Sequence, residues 1–332
     1  RSIFYNIMYY LVKDYRLTET DQESVRRNRS MTRLSSITAY MKENYTGDLS
    51  LEEVAKVFGY SPAYLSRMFR KYAGSCEVVC AYGKIDSPLP GGINTREWGE
   101  KYGIAIADSI EEVIERSDCL VVLSPDNPEM HEELSRLPLA SGKRTYIDKT
   151  FAETYDSAVR LFDMAKEGNT PCYSASALYF AQEYAESYQK DVEYVDSCGP
   201  NDFAGYSIHQ LEPITAMLKA EPVRVMSVGT ADFPVVIVEY AGGKKAKIAM
   251  FRNGEAFSMN VGCRNGEAFC IKAESYYWEP FIRALAHFFE TGEIPVPHEN
   301  TLRVIAAREA AVKALDRPFD WVRVKGGKQD EL

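Results

Sequence analysis

The first part of the chain carries apolar residues at helical spacing, interrupted by a polar stretch. Residues 3–17 predict one helix, and the polar and charged residues 18–30 predict a linker. Leu34, Ile37 and Met41 recur three to four positions apart, which predicts a helix at the start of the region 31–74. This region therefore begins with a helix that buries one face.

Two more helices are predicted in the region 31–74, separated by a glycine. Ser50 and Glu53 have the spacing of a capping box, so a helix begins there. Gly59 can adopt the left-handed conformation that ends this helix. Ser61 and Pro62 are typical of the cap and first turn of the next one. Two short helices joined by a glycine-containing turn predict a helix-turn-helix.

After Gly74 the pattern changes to short apolar runs that alternate with helical segments. Strands are predicted over 77–82, 119–123, 144–147 and 171–174, helices over 109–116, 131–140 and 158–166, and a loop over 87–92. Strands that alternate with helices favour a parallel, doubly wound sheet.

From residue 223 the strands follow one another with short turns between them. They are predicted over 223–231, 235–241, 245–251, 257–263 and 268–274, and closing helices over 278–290 and 301–315. Consecutive strands with short turns predict an antiparallel sheet. The fold class is thus α/β and α+β, with a helix-turn-helix segment (1–74), a truncated Rossmann-like parallel-sheet domain (75–175) and an antiparallel open-faced sheet domain with helices for substrate and dimerisation (176–332).

Composition and charge suggest a soluble protein whose two parts have different partners. The 332 residues are 45% hydrophobic and 26% charged, and no apolar run approaches the ~18 residues that span a bilayer. Residues 1–74 hold 12 Lys and Arg against 8 Asp and Glu, whereas the remainder holds 27 against 40. A basic start on an acidic body suggests nucleic acid for the first part only.

The cysteines and histidines do not predict a disulfide framework or a metal site. The seven cysteines are scattered and form no CxxC pair, which is typical of a protein in the reducing cytoplasm. His131, His287 and His298 lack metal-ligand spacing, so no metal is expected.

The third helix of the region 31–74 carries the residue types that read DNA. Arg67 could pair with a guanine edge, and Arg70 and Lys71 could neutralise phosphates. The predicted DNA-binding residues are Ala63, Tyr64, Ser66, Arg67, Arg70 and Lys71. By periodicity alone, the alternative is that they form the solvated face of a small helical bundle.

Residues 37–74 resemble the first helix-turn-helix of AraC/XylS-type transcription regulators, and residues 3–17 resemble the end of such a regulator's dimerisation region. The resemblance implies binding to DNA. Regulators of this family carry two helix-turn-helix units, and a second unit does not follow Gly74. One unit reaches one segment of the major groove, so the affinity should be several powers of ten lower.

The remainder resembles the Gfo/Idh/MocA family of NAD(P)-dependent sugar and cyclitol oxidoreductases. Three passages carry the resemblance, at 121–143, 146–150 and 206–212, and residues 289–315 fit the family's ending. It implies NAD or NADP as coenzyme, a sugar or cyclitol as substrate, and a homo-oligomer that associates through the antiparallel sheet.

Oxidation of a carbinol needs a base and a cation beside the developing alkoxide. His209 is the candidate base because the ordinary histidine pKa is near neutrality, and the alternative is a satisfied histidine at a helix start. By resemblance, Lys149 is the cation and Asp148 orients it. Gly205 stands where many members have Asp, so Tyr206 or Glu212 could assist. The coenzyme would contact Ser124, Pro125, Asn127 and Lys149.

The glycine-rich phosphate loop of a Rossmann domain does not occur in this chain. No GxGxxG is found, residues 89–93 have the wrong spacing, and Ala81–Gly83 stand where an acid would hold the adenosine ribose. The strand that precedes the loop would be the central one, so two strand edges would lose a neighbour. Three interpretations remain: an oxidoreductase with impaired coenzyme binding, a DNA-binding regulator with an oxidoreductase-like sensor body, and a non-functional fusion.

Overall fold

A computed structural model describes residues 76–85, 94–124, 128–251, 257–275 and 277–326. Several predictions fall outside these ranges: the helix over 3–17, the linker over 18–30, the helix-turn-helix of the region 31–74, and the loop over 87–92. The same holds for the predicted DNA-binding residues Ala63, Tyr64, Ser66, Arg67, Arg70 and Lys71, and for Pro125 and Asn127 of the predicted coenzyme site.

Short parallel strands alternate with helices in the first half of the described chain, which confirms the predicted Rossmann-like pattern. In chain order they are β1 (Cys80–Ala81), α1 (Thr95–Tyr102), β2 (Ala105–Ile106), α2 (Ile110–Arg116), β3 (Leu120–Val122), α3 (His131–Ala140), β4 (Thr145–Ile147), α4 (Tyr155–Glu167) and β5 (Cys172–Tyr173). Helix α2 begins after Ser109, whose side chain accepts the Glu112 N–H, and α4 begins after Thr154, which caps it in the same way. The predicted elements among these are right to within a few residues at each end, whereas α1 and β2 were not predicted.

The parallel strands of the described chain form two separate sheets. One sheet pairs β1 with β2, and the other has the order β3–β4–β5. In a doubly wound Rossmann domain the first strand lies between the second and the fourth. The division between β1 and β3 therefore falls at the position where the sequence predicts the loss of the central strand.

A seven-stranded mixed sheet forms the second half. Its strands are β6 (Val192–Pro200), β7 (Pro222–Ser227), β8 (Val235–Tyr240), β9 (Lys245–Phe251), β10 (Ser258–Cys263), β11 (Ala268–Lys272) and β12 (Trp321–Arg323), in the order β11–β10–β6–β9–β8–β7–β12. The five predicted strands are all present. Their sheet is mostly antiparallel, as predicted, but β9 and β10 do not pair directly, because β6 lies between them and runs parallel to β9.

Strand β6 escaped prediction because its inward positions are not uniformly apolar. Val192, Val195, Ser197 and Gly199 are buried, while the residues between them face outward. Ser197 is satisfied by the side-chain oxygen of Gln210 on a neighbouring helix. A Cβ at Gly199 would lie 2.6 Å from the Phe257 ring, so the close approach requires glycine. The hydrophobic alternation that marks a strand is therefore lost after Val195.

The remaining helices pack on these sheets and bring the two halves together. They are α5 (Gln182–Ala185), α6 (Phe203–Tyr206), α7 (Ile208–Leu218), α8 (Trp278–Thr291) and α9 (His298–Leu315). One apolar core extends from Leu161 of α4 through Ile214 of α7 to Ile248 of β9, so it is continuous across the predicted domain boundary at residues 175 and 176. Within the described chain, no helix has the length and apolarity needed to cross a membrane.

Candidate active site

The carboxyl ends of the three parallel strands β3, β4 and β5 lie at one edge of their sheet. Ser124 follows β3, Asp148 and Lys149 follow β4, and Ser174 and Ser176 follow β5. Ligands of doubly wound folds bind outside this edge because the loops there diverge and leave a crevice. The structure thus places three of the predicted residues, Ser124, Asp148 and Lys149, on adjacent strand ends.

Helix α7 brings His209 to the same region. Asp202 accepts the Gly205 N–H at 2.8 Å and caps α6, after which the chain turns into α7 at Ile208. Every residue of α7 except His209 is buried, and His209 itself is only partly exposed. A helix buried on all other sides fixes the backbone of His209 firmly.

An aromatic residue connects Lys149 with His209. The Lys149 Nζ atom lies 5.9 Å from the centroid of the Tyr206 ring, and the His209 ring lies 5.1 Å from the same centroid. The Phe257 ring contacts His209 on another side, at 5.5 Å. The predicted cation and the predicted base therefore share one aromatic wall, at which Lys149 gains a modest cation–π attraction.

Asp148 is held by two groups that the sequence did not indicate. The Tyr146 hydroxyl lies 3.2 Å from the Asp148 Oδ1 atom and 2.8 Å from the Ala175 carbonyl oxygen. The Ser174 hydroxyl donates to the Asp148 carbonyl oxygen at 3.3 Å. These contacts tie the end of β4 to the end of β5 and fix the backbone that carries Lys149.

Ser176 lies between His209 and Glu212. Its hydroxyl is 2.6 Å from the His209 Nδ1 atom, and its backbone N–H donates to the Glu212 Oε2 atom at 2.6 Å. The same hydroxyl accepts the Leu178 N–H at 3.1 Å. Sequence reasoning named Glu212 but missed Ser176, because a lone serine in a loop carries no recognisable signal.

Burial shifts the pKa values of His209 and Glu212 in opposite directions. Loss of water, and secondarily the Lys149 charge, lowers the pKa of His209 to about 3. Loss of water raises the pKa of Glu212 to about 8, although the Ser176 N–H opposes this rise. The expectation of a His209 pKa near neutrality is therefore wrong: at neutral pH the imidazole is uncharged and the carboxyl holds a proton.

The other end of a coenzyme site would lie at β1, where the residues differ from a nucleotide-binding strand. Ala81, Tyr82 and Gly83 stand at the end of this strand and supply no carboxylate for ribose hydroxyls. Among the described residues, no three His, Cys, Asp or Glu side chains cluster as they would around a metal ion.

The comparison with family models gives one match, to the first part of the chain. Residues 41–75 match the model of bacterial regulatory helix-turn-helix proteins of the AraC family. This range lies inside the region 31–74 apart from its last residue, so the predicted helix-turn-helix resemblance is confirmed. No curated protein matches the chain in sequence.

Several solved structures that share the fold of this chain are dehydrogenases. A putative myo-inositol dehydrogenase from Sinorhizobium meliloti superposes with a TM-score of 0.64 at 15% identity, covering 78% of this chain and 96% of its own. The scyllo-inositol dehydrogenase from Lactobacillus casei, solved with NAD(H) and scyllo-inositol, gives a TM-score of 0.62 at 13% identity, covering 76% and 94%. The chain thus combines an AraC-type helix-turn-helix match over residues 41–75 with a body that has the fold of inositol dehydrogenases.

Proposed function

We propose that this protein is an oxidoreductase that acts on CH–OH groups of sugars or cyclitols with NAD or NADP, and that its grip on the coenzyme is weak. The observation that carries the proposal is the convergence of Asp148, Lys149 and His209 at the carboxyl ends of the parallel strands. Dehydrogenase folds place their reacting groups at this edge.

The described residues fit a nicotinamide coenzyme at one end only. Ser124 and Lys149 lie on adjacent strand ends and could hold the nicotinamide half, which accepts a hydride when bound. The adenosine half lacks its ribose carboxylate at Ala81–Gly83, and the sequence contains no GxGxxG to hold the pyrophosphate. We therefore propose that the protein binds its coenzyme weakly.

The residues of the site bind the reacting hydroxyl oxygen rather than take up its proton. The Lys149 ammonium steadies negative charge on the reacting oxygen, and Asp148 orients the end of β4. The low pKa of His209 makes it a poor proton acceptor, so we assign it a hydrogen bond to the same oxygen. Oxidation removes a hydride from carbon and a proton from oxygen, and that proton leaves to water.

Titration of the full chain with NADH or NADPH, followed by nucleotide fluorescence, tests this proposal. We expect binding with a Kd of about 1 mM, which corresponds to ~4 kcal/mol. ADP serves as the control ligand, and it should not displace the coenzyme, because the adenosine end is poorly held. A Kd in the micromolar range contradicts the proposed weak binding of the coenzyme. No detectable binding at millimolar coenzyme contradicts the proposal that the protein is an oxidoreductase.

A second candidate function is DNA-binding regulation, which the AraC-family match at residues 41–75 favours. In this interpretation the dehydrogenase-like body senses a sugar or cyclitol. A gel shift with promoter DNA at several salt concentrations tests it. We expect Arg67→Ala to reduce discrimination between sequences and Arg70→Ala to weaken all complexes equally. Equal affinity of the unmodified protein for every sequence contradicts specific regulation.

A further inference from the structure

We infer that Ser176 fixes His209 in the tautomer that carries its proton on Nε2, so that His209 presents a hydrogen-bond donor at its free nitrogen. Ser176 is then a positioning residue, and Glu212 holds it in place. The use of this donor toward a substrate oxygen rests on the proposed function, whereas the tautomer itself does not.

The Ser176 hydroxyl has three hydrogen-bonding positions to fill. A serine hydroxyl can donate once and accept twice. One acceptor position takes the Leu178 N–H at 3.1 Å, because Ser176 caps the short 3₁₀ turn Ala177–Phe180. The remaining polar neighbour of this oxygen in the described chain is the His209 Nδ1 atom at 2.6 Å.

The available partners determine which group donates in the hydrogen bond between Ser176 and His209. If the His209 Nδ1–H donated, Ser176 would accept twice and its own hydroxyl proton would have no acceptor among the described residues. Ser176 is 1% exposed, so bulk water does not reach it. Buried polar hydrogens are rarely left unsatisfied. The Ser176 hydroxyl therefore donates to Nδ1, and the ring proton of neutral His209 resides on Nε2.

Two further contacts keep the Ser176 side chain turned toward His209. Its backbone N–H donates to the Glu212 carboxyl at 2.6 Å, and the cap to Leu178 fixes its side chain. His209 and Glu212 are three residues apart and thus lie on one face of α7. Helix α7 therefore contacts Ser176 through two side chains. The Glu212 carboxyl accepts the Ser176 backbone N–H, and the His209 Nδ1 atom accepts its hydroxyl hydrogen.

His209 and Lys149 then provide two hydrogen-bond donors for a substrate oxygen. With Nε2 protonated, His209 offers an N–H, and the Lys149 Nζ atom lies 5.9 Å from the centroid of the same Tyr206 ring that His209 contacts. Two donors suit a carbonyl or alkoxide oxygen better than a neutral hydroxyl, whose own proton needs an acceptor. His209 is then an electrophilic, uncharged partner of the oxygen rather than a base.

Long-range proton–nitrogen NMR of the full chain labelled with ¹⁵N-histidine tests the inference at neutral pH, without coenzyme or substrate. The spectrum contains four histidines, and His209→Gln assigns the one of interest. We expect the pattern of the Nε2–H tautomer in the unmodified protein. The pattern of the Nδ1–H tautomer, or an even mixture, overturns the inference.

Matched variants then locate the cause. Ser176→Ala should lose the preference and give a mixed signal, while Ser176→Thr, which retains a hydroxyl, should keep it. Ser174→Ala is the control, because Ser174 is equally buried but donates to the Asp148 carbonyl oxygen instead. An unchanged signal in Ser176→Ala contradicts the role of Ser176, and a mixed signal in Ser174→Ala contradicts its specificity.

These outcomes are separable from those of the proposed function. A protein that binds no coenzyme but shows the Nε2–H tautomer supports this inference and contradicts the oxidoreductase. If Ser176→Ala does not fold, the tautomer of the unmodified protein still decides the question.

Discussion

Replacing Glu212 by Gln should remove most of the loss of stability that the protein suffers between pH 5 and pH 9. The carboxyl is 9% exposed and its pKa is raised from an ordinary 4.5 to about 8. Between these values the unfolded chain is ionised while the folded one remains protonated, so stability falls as pH rises. The difference corresponds to about 5 kcal/mol above pH 8. Urea unfolding of both proteins at pH 5 and pH 9 measures it.

The difference in stability between the two proteins reports on Glu212, because the neighbouring titratable groups are the same in both. Asp148, Lys149, Tyr146, Tyr179 and His209 all face this side of α7 or lie close to it. The lowered pKa of His209 acts at the acid end, where stability falls as pH decreases below the ordinary value of 6.5. This contribution cancels in the difference between the two proteins.

Glu239→Gln supplies a control of opposite sign. A hydrogen bond to the Arg224 guanidinium lowers the pKa of Glu239, so its charge stabilises the folded state above the ordinary pKa. The Glu239 variant should therefore be less stable than the unmodified protein at pH 9, where the Glu212 variant is more stable. Parallel stability curves for Glu212→Gln and the unmodified protein contradict the assigned burial of the carboxyl.

Replacing Lys149 by Met should lower kcat/KM for cyclitol oxidation by about 100-fold or more. Removing one preorganised group that stabilises an oxyanion typically has an effect of this size. Initial rates with an inositol and saturating coenzyme measure it. Lys149 is suited to this role because it follows β4 directly and shares the Tyr206 ring with His209.

Lys247→Met is the matched control for the Lys149 variant. Lys247 forms an ion pair with Asp196 on the large sheet, at 2.8 Å, and both side chains are at least 30% exposed. Exposed pairs contribute little to stability, so this variant should retain its rate. A rate for Lys149→Met within threefold of the unmodified protein contradicts the assignment, whereas an unmodified protein without turnover contradicts the proposed function itself.

Local patterns in the sequence determined the elements that positioned these groups. The helix caps at Ser109 and Thr154, and the apolar runs of β3 and β4, depend on neighbours within a few residues. Propensity and capping act over such distances, so the alternation of strands and helices could be predicted. Asp148 and Lys149 were identified instead by the family resemblance of residues 146–150.

Strand order, by contrast, was decided by contacts between distant segments. Strand β6 enters the sheet between β9 and β10 because Gly199 admits the Phe257 ring and Ser197 finds Gln210. Gln210 lies 13 residues after Ser197, and Phe257 is farther still, so neither contact is visible in the local pattern of β6. A register that depends on small inward residues gives no periodic signal.

The protonation of the candidate site depends wholly on tertiary structure. The sequence identified His209 and Glu212 as titratable residues three positions apart, and their ordinary pKa values suggested a charged carboxylate beside a neutral or charged imidazole. Burial of α7 against the sheets reverses this order, helped at His209 by the Lys149 charge and opposed at Glu212 by the Ser176 N–H. Proton affinity responds to the water and charges around a group, and these are set only when distant parts of the chain come together.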